Sequence, residues 1–123
     1  MSAAGNTLQD KVIFITGAAS GIGRATMMAA KQAGAKVAAA DLGEIAGAGD
    51  DDMTLQLDVT DQDATEKAVA DIAKRYGRID GLAACAGISL TGSITEMEMD
   101  IWHQTLAVNL TGTMLTARAT VPY

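Results

Sequence analysis

Near the start of the sequence lies the turn Thr16-Gly17-Ala18-Ala19-Ser20-Gly21-Ile22-Gly23. It follows an apolar, β-branched run at 11–16, which is typical of a strand buried on both faces. An Ala-rich segment at 20–33 then predicts a helix, with Gly34 at its stop position. Glycines at such a turn let a diphosphate approach the backbone without Cβ clashes, and the new helix offers it unpaired N–H groups. The alternative is a plain strand-to-helix turn.

Outward from this turn, strands and helices alternate along the whole chain. The pattern predicts further strands at 35–40, 53–59 and 79–86 and helices at 60–76, 97–108 and 110–121. The connection 42–52 contains three glycines and leaves room for one or two helical turns at most. This order predicts an α/β fold, a Rossmann-type doubly wound parallel sheet of about four strands in the order three, two, one, four, with flanking helices. We expect 1–123 to form a single domain.

Composition and charge disfavour several classes of function. The net charge of −6 disfavours nucleic acid as a partner, because phosphate binding needs a basic surface. The acidic run Asp50-Asp51-Asp52 is better explained as a solvated loop than as a metal site, and we expect no metal. A single cysteine allows no internal disulfide, residues 1–10 lack the apolar core of a signal peptide, and no apolar run is long enough to span a membrane. We therefore expect a cytoplasmic protein.

Two aspartates follow predicted strands on the side where ligands of open α/β sheets bind. Asp41 ends the second strand, where its carboxylate could accept hydrogen bonds from both ribose hydroxyls of adenosine and would repel a 2′-phosphate. This favours NAD over NADP, while Arg24 is better explained as a solvated charge. Asp58 ends the third strand and could accept a bond from the adenine amino group, or supply a charge at the start of the next helix. Val59 could pack on the adenine ring.

These motifs occur together in the order and spacing of a known family. The glycine turn, Asp41, Asp58-Val59, Ala84-Cys85-Ala86-Gly87 and Val108-Asn109 resemble the short-chain dehydrogenase/reductase family, from about Lys11 to the last residue. The resemblance implies an NAD(P)-binding Rossmann domain, incomplete relative to the family, with NAD as its cofactor. It also implies that Asn109 interrupts a helix and helps to anchor a water in the proton relay, which makes it the catalytic candidate. The implied cofactor-binding residues are Gly17, Ser20, Gly21, Ile22, Gly23, Asp41, Asp58, Val59, Ala86 and Gly87.

Two departures from the family pattern bear on mechanism. Ala84-Cys85 stands where the family usually has two asparagines that tie neighbouring strands together, and we interpret Cys85 as a small buried hydrophobe. The family also uses a Ser and a Tyr-x-x-x-Lys set, located further along than residue 123. Neither Tyr76 nor Tyr123 has a Lys four residues on. His103, beside Trp102, is better explained as a surface or packing residue than as a base.

Two functions remain open from the sequence. The chain is either the N-terminal portion of an NAD-dependent dehydrogenase, or a non-catalytic nucleotide-binding or self-associating module. In the first case the complete protein transfers hydride between NAD(H) and an alcohol or ketone, and this chain alone is inactive. The fourth strand would be an apolar edge without protective charges or prolines, so we expect a homo-oligomer. The sequence does not identify a substrate.

Overall fold

The computed structural model describes residue 5 and residues 7–123. The expectation that residues 1–10 form no signal peptide therefore falls partly outside the described residues. Four strands and four helices are present in the described part, with one π-helical segment that joins the last two helices. The strands are β1 (Val12–Thr16), β2 (Lys36–Asp41), β3 (Met53–Gln56) and β4 (Gly81–Ala84). The helices are α1 (Gly21–Gln32), α2 (Gln62–Tyr76), α3 (Met99–Leu106) and α4 (Thr113–Thr120), and the π segment is Ala107–Gly112.

The four strands form one parallel sheet in the order β3-β2-β1-β4. This confirms the predicted Rossmann-type architecture and strand order. In a parallel sheet all carboxyl ends lie at the same edge, so the segments after β1, β2, β3 and β4 meet there.

The core consists of two layers, one on each face of the sheet. On the α2 side, Phe14 and Ala38 pack with Val69 and Ile72 of the helix. On the α1 side, the corresponding layer contains Ile15, Met27, Val37 and Ala39. Because β2 carries consecutive alanines at 38–40, all buried, the helices can approach this strand closely on both faces.

The connection between β2 and β3 is the part of the sheet that departs from the predicted pattern. No residue of 42–52 is helical, which lies within the predicted limit of one or two helical turns. One face of β3 packs on the α2-side core through Leu55. On its other face Thr54 and Gln56 are exposed, which fits the absence of a covering helix. β3 also ends at Gln56 rather than at 59, because its ladder with β2 ends at the pair Asp41–Gln56.

The helix ends follow local signals. Gly34, after α1, has a φ of +93°, and Gly77, after α2, has a φ of +78°, both in the left-handed region that favours glycine. Asp61 caps α2, since its Oδ1 accepts the Ala64 N–H at 3.0 Å. β4 is shorter than the predicted 79–86 because its ladder with β1 ends at Ala84.

The segment after the polar loop is helical on both sides of Asn109. It extends from Met99 to Thr120, with the π segment Ala107–Gly112 centred near Asn109. The predicted helical segments 97–108 and 110–121, with an interruption at Asn109, thus correspond to α3 and α4 joined by the π segment. A π segment accommodates a local change of helical repeat without breaking the helix. Within residues 7–123, no helix has both the length and the apolarity needed to cross a membrane.

Candidate nucleotide-binding site

A cavity of about 600 Å³ lies at the carboxyl edge of the sheet. It is bounded by the glycine turn, by the segments that follow β2, β3 and β4, and by α3 with the π segment. All ten residues predicted to bind the cofactor line it: Gly17, Ser20, Gly21, Ile22, Gly23, Asp41, Asp58, Val59, Ala86 and Gly87. A more open recess of about 720 Å³ at the outer edge of β3 contains none of these ten.

The glycine turn folds tightly on itself and against the end of β4. A Cβ on Gly23 would lie 2.0 Å from the Gly17 carbonyl oxygen, and one on Gly17 would lie 2.7 Å from the Ala86 nitrogen. Gly21, in contrast, has a φ of +55° and open space where a Cβ would be. Close packing therefore explains why positions 17 and 23 require glycine. Gly21, in contrast, borders empty space suited to a ligand.

The start of α1 is arranged to accept an anion. Among the described residues no side chain caps this helix: Ser20 makes no capping bond, and the first turn carries no acidic residue. Arg24, in the first turn, is exposed, as expected for a solvated charge. The first N–H groups of the helix and the positive end of its dipole therefore face the cavity without a carboxylate to compete for them.

Asp41 lies beside the glycine turn, at the place predicted for it. Its Oδ2 accepts the Ala19 N–H at 3.0 Å, and its Oδ1 accepts the Gly43 N–H at 2.9 Å. These bonds fix the plane of the carboxylate and leave each oxygen with a further lone pair. The side chain can therefore accept two more hydrogen bonds from a ligand in the cavity.

Asp58 and Val59 lie beyond β3 and not at its end. Asp58 Oδ1 accepts both the N–H and the hydroxyl of Thr60, at 2.9 and 2.7 Å, and these bonds hold the pKa of Asp58 below its ordinary value. The cap of α2 is Asp61, which accepts the Ala64 N–H, so the other predicted role of Asp58, a charge at the start of this helix, stays a prediction. Asp58 Oδ2 makes no hydrogen bond within the described residues, so it can accept one from a ligand. Val59 is buried against the π segment, where a Cβ on Gly112 would lie 2.7 Å from its Cγ2.

The segment after β4 is held to β1 without the two asparagines that are usual in the family. The Ala86 N–H donates to Thr16 Oγ1 at 3.2 Å, which joins the ends of the two strands. Cys85 is only half-buried and lines the cavity, so its interpretation as a buried hydrophobe was wrong. The reason is that the ladder stops at Ala84, and the chain then leaves the sheet at its carboxyl edge.

Asn109 does not line the cavity but holds the loop that does. Its Oδ1 accepts the Ile88 N–H and its Nδ2 donates to the Ile88 carbonyl, both at 2.8 Å. A Cβ on Gly87 would lie 3.3 Å from Asn109 Oδ1, so the loop passes close to this side chain. The Asn109 carbonyl accepts the Thr113 hydroxyl at 3.0 Å. The side chain therefore positions residues 87–88.

Several lining residues were not predicted as site residues. Leu42, Leu57, Thr60 and Ile88 adjoin predicted ones in the chain, so the strand ends could have suggested them. Gln104, Ala107 and Val108 come from the helical run, and Val108 was noted only as part of the family pattern. Gln104 lies four residues before Val108, which places the two on the same face of a helix, and this spacing could have indicated Gln104.

The other side chains considered for chemistry lie outside the cavity. His103 is exposed, as expected for a surface residue, and the hydroxyl of Tyr76 donates to the Asp51 carbonyl at 2.7 Å. Burial raises the pKa of Tyr76 above its ordinary value, against a lowering effect of Arg75. Within the described part of the chain, no group of three or more His, Cys, Asp or Glu side chains is arranged to hold a metal ion.

Comparison with known proteins identifies the family. The family model for short chain dehydrogenase matches residues 11–123. The chain belongs to the short-chain dehydrogenase family. It is 37% identical to the 3-oxoacyl-(acyl-carrier-protein) reductase of Thermotoga maritima over 94% of this chain and 51% of that protein. It is 38% identical to the NAD-dependent glycerol dehydrogenase of Listeria innocua over 90% of this chain and 46% of that protein.

Solved structures of the family resemble this chain in three dimensions. The aldohexose dehydrogenase of Thermoplasma acidophilum superposes with a TM-score of 0.90 at 34% identity, over 96% of this chain and 46% of that one. The carveol dehydrogenase of Mycobacterium avium in complex with NAD gives a TM-score of 0.85 at 30% identity, over 96% and 50% of the two chains. The chain thus spans about half the length of the curated relatives it matches.

Proposed function

We propose that this chain is the nucleotide-binding portion of an NAD-dependent oxidoreductase. The complete protein transfers hydride between NAD(H) and an alcohol or ketone. The observation that carries the proposal is Asp41, whose carboxylate is held beside the glycine turn by the N–H groups of Ala19 and Gly43. Family membership supports the reaction class, and the arrangement of the cavity supports the cofactor.

The residues around the cavity suit the successive parts of a dinucleotide. The N–H groups at the start of α1 and the open space at Gly21 would hold the diphosphate. Asp41 would accept the adenosine ribose hydroxyls, and Asp58 Oδ2 would accept the adenine amino group above Val59. Ala86 and Gly87 would back the cofactor ribose from the opposite side. NAD supplies the hydride acceptor when bound.

The charge at Asp41 favours NAD over NADP. A fixed carboxylate accepts ribose hydroxyls but repels a 2′-phosphate at the same place. Arg24, the nearby cation considered from sequence, is exposed and makes no ion pair within the described residues. The NAD-dependent glycerol dehydrogenase and the carveol dehydrogenase solved with NAD agree with this choice.

Asn109 has a positioning role in this proposal. Its side chain fixes the loop at 87–88, while its carbonyl helps to anchor a water of the proton relay in the complete protein. We also propose that the protein acts in the cytoplasm, without nucleic acid or membrane partners, as a homo-oligomer.

Calorimetric titration of the chain with AMP, NAD and NADP tests the proposal. We expect AMP and NAD to bind with similar affinity, since adenosine and phosphate contacts dominate, and NADP to bind more weakly. Asp41→Asn should reduce the preference for NAD over NADP, while Asp63→Asn, on the exposed first turn of α2, should not. Absence of AMP binding, or a preference for NADP, would contradict the proposal.

The alternative of a non-catalytic module is tested separately. It predicts the same nucleotide binding but no dehydrogenase activity in any longer product of the coding region. A Tyr-x-x-x-Lys sequence downstream of residue 123, together with NAD-dependent oxidation of an alcohol by the longer protein, would exclude it.

A further inference from the structure

The carboxylate of Asp52, at the end of the helix-free connection 42–52, is almost fully enclosed. Its side chain is 5% exposed and pairs with Lys31 Nζ of α1 at 2.8 Å. Its Oδ1 accepts the Val37 N–H of β2 at 3.0 Å, and its Oδ2 accepts the Gly49 N–H at 2.7 Å. Asp52 therefore joins α1, β2 and the connection at one point, and it is not part of a solvated loop.

Lys31 extends this attachment to the middle of the connection. Its Nζ also donates to the Gly47 carbonyl at 2.5 Å. From the opposite side, α2 holds the same acidic run, because Arg75 donates to the Asp50 carbonyl and Tyr76 to the Asp51 carbonyl. Since 42–52 has no helical hydrogen bonds of its own, these attachments determine its shape.

The other end of the same segment carries the side of the cavity where we place the ribose. Leu42 lines the cavity, and its carbonyl accepts a bond from Gln56 Nε2 at 3.3 Å. The Gly43 N–H holds Asp41 Oδ1, and Ile45 packs on the α1-side core. The direction of the Asp41 carboxylate therefore depends on a segment that Lys31 and Asp52 hold in place.

We propose that Lys31 and Asp52 are a positioning pair that keeps Asp41 directed at the adenosine ribose and so sets selectivity against a 2′-phosphate. This inference rests on the proposed function. The pair acts through the connection and not by contact with the nucleotide. Burial alone raises the pKa of Asp52, but Lys31 and the two N–H donors outweigh it and hold this pKa below its ordinary value. Asp52 therefore carries its negative charge at neutral pH.

The test compares AMP with adenosine 2′,5′-bisphosphate by calorimetry. In Lys31→Met and in Asp52→Asn, the preference for AMP should fall by about fivefold, and the double variant should show no further fall. Lys31→Arg, which keeps a cation at the same place, should retain most of the preference. The matched control is Lys67→Met, which removes the exposed Lys67–Asp71 pair on α2 and should leave the preference unchanged.

The ratio of the two affinities separates positioning from simple stabilisation of the fold. If both ligands weaken by the same factor, the ratio is unchanged and the inference is overturned. Lys31→Met leaves both backbone bonds of Asp52 in place, so it decides the outcome if Asp52→Asn does not fold. A wild-type chain that binds neither probe overturns the proposed function, and this inference with it.

Discussion

Individual glycines of the turn between β1 and α1 serve different purposes. Gly23 needs no unusual backbone angle, yet a Cβ there would overlap the carbonyl oxygen of Gly17. Gly17 combines a positive φ with close contact to the backbone at 85–86. Gly21 has a positive φ and free space around it. A substitution at each position therefore tests a different property of the site.

We predict that Gly23→Ala destabilises the fold by about 2–3 kcal/mol, because the methyl group would lie 2.0 Å from backbone that has to move. Urea unfolding measures the effect. Gly77→Ala is the control, since Gly77 has a positive φ but open surroundings, and it should cost only about 1 kcal/mol. Equal costs at the two positions would show that the turn tolerates a side chain.

Three aspartates make the free energy of unfolding vary with pH in the acidic range. The Val12 N–H, followed by Arg78, holds the pKa of Asp80 below its ordinary value, and bonds to Thr60 and to Lys31 act likewise on Asp58 and Asp52. In the unfolded chain these groups bind protons at higher pH than in the folded one. Their stabilisation is therefore fully present above about pH 5 and is lost as the pH falls through the lowered pKa values.

The free energy of unfolding, measured from pH 2 to pH 7, should rise with pH up to about pH 5 and then level off. Asp80→Asn should reduce this slope, since its Oδ2 accepts the Val12 N–H at 2.8 Å. Asp63→Asn, in the first turn of α2, serves as the control, because within the described residues the Asp63 carboxylate makes no hydrogen bond to a backbone N–H. An identical slope in the wild type and in Asp80→Asn would contradict this assignment.

At the scale of elements, the sequence predicted the type and order of every strand, and the errors concern their ends. β3 and β4 stop at Gln56 and Ala84 because their ladders with neighbouring strands stop there. Pairing of this kind is a property of the assembled sheet, and apolar runs that continue past it give no local sign of the end. The helix ends at Gly34 and Gly77 were easier to predict, because a left-handed glycine is a local signal.

Placement of the candidate site residues followed from topology. Strand ends in a parallel sheet meet at one edge, so Asp41 and Asp58 line the same cavity although the chain separates them. Two features required the packed structure. The side chain of Asn109 turns to Ile88, and Asp52 turns inward to Lys31. Both depend on contacts between elements that are distant in the sequence.

We predict that Asn109→Ala loosens the loop at 87–88 and destabilises the fold by about 1 kcal/mol, since two bonds to Ile88 are lost near the surface. Asn109→Asp keeps the acceptor but has no donor for the Ile88 carbonyl, so its stability should be at most intermediate between those of Asn109→Ala and the wild type. Denaturant unfolding measures both, with the exposed His103→Ala as control. If Asn109→Ala were as stable as that control, the positioning role assigned to Asn109 would be contradicted.

Across the whole molecule, one side of the described chain presents apolar surface. The helical run exposes large side chains at intervals of three or four residues: Met99, Trp102, Leu106, Leu110 and Met114. β4 is the edge strand of the sheet on this chain, and its sequence Gly-Leu-Ala-Ala carries no charge. Exposed apolar stripes and uncharged edge strands both favour association with another surface.

We predict that the chain self-associates at micromolar concentration through these surfaces. Leu110→Asp, which places a charge on a side chain that is 65% exposed, should shift the population toward monomer. Ile94→Asp, at an 89% exposed position in the loop before α3, should not. Light scattering coupled to gel filtration measures the distribution, and a monodisperse wild-type monomer would contradict the prediction.

The strand order also determines which backbone amides are slowest to exchange with deuterium. Only β1 and β2 are paired on both sides within the described sheet, and they have buried residues on both faces. Their amides open only when the whole domain unfolds, whereas those of β3 and β4 exchange through smaller local openings. Exchange at Phe14 and Ala38 therefore reports global stability. Because Asp41 is the last residue of β2, the wall of the cavity that it forms is attached to the most slowly opening part of the protein.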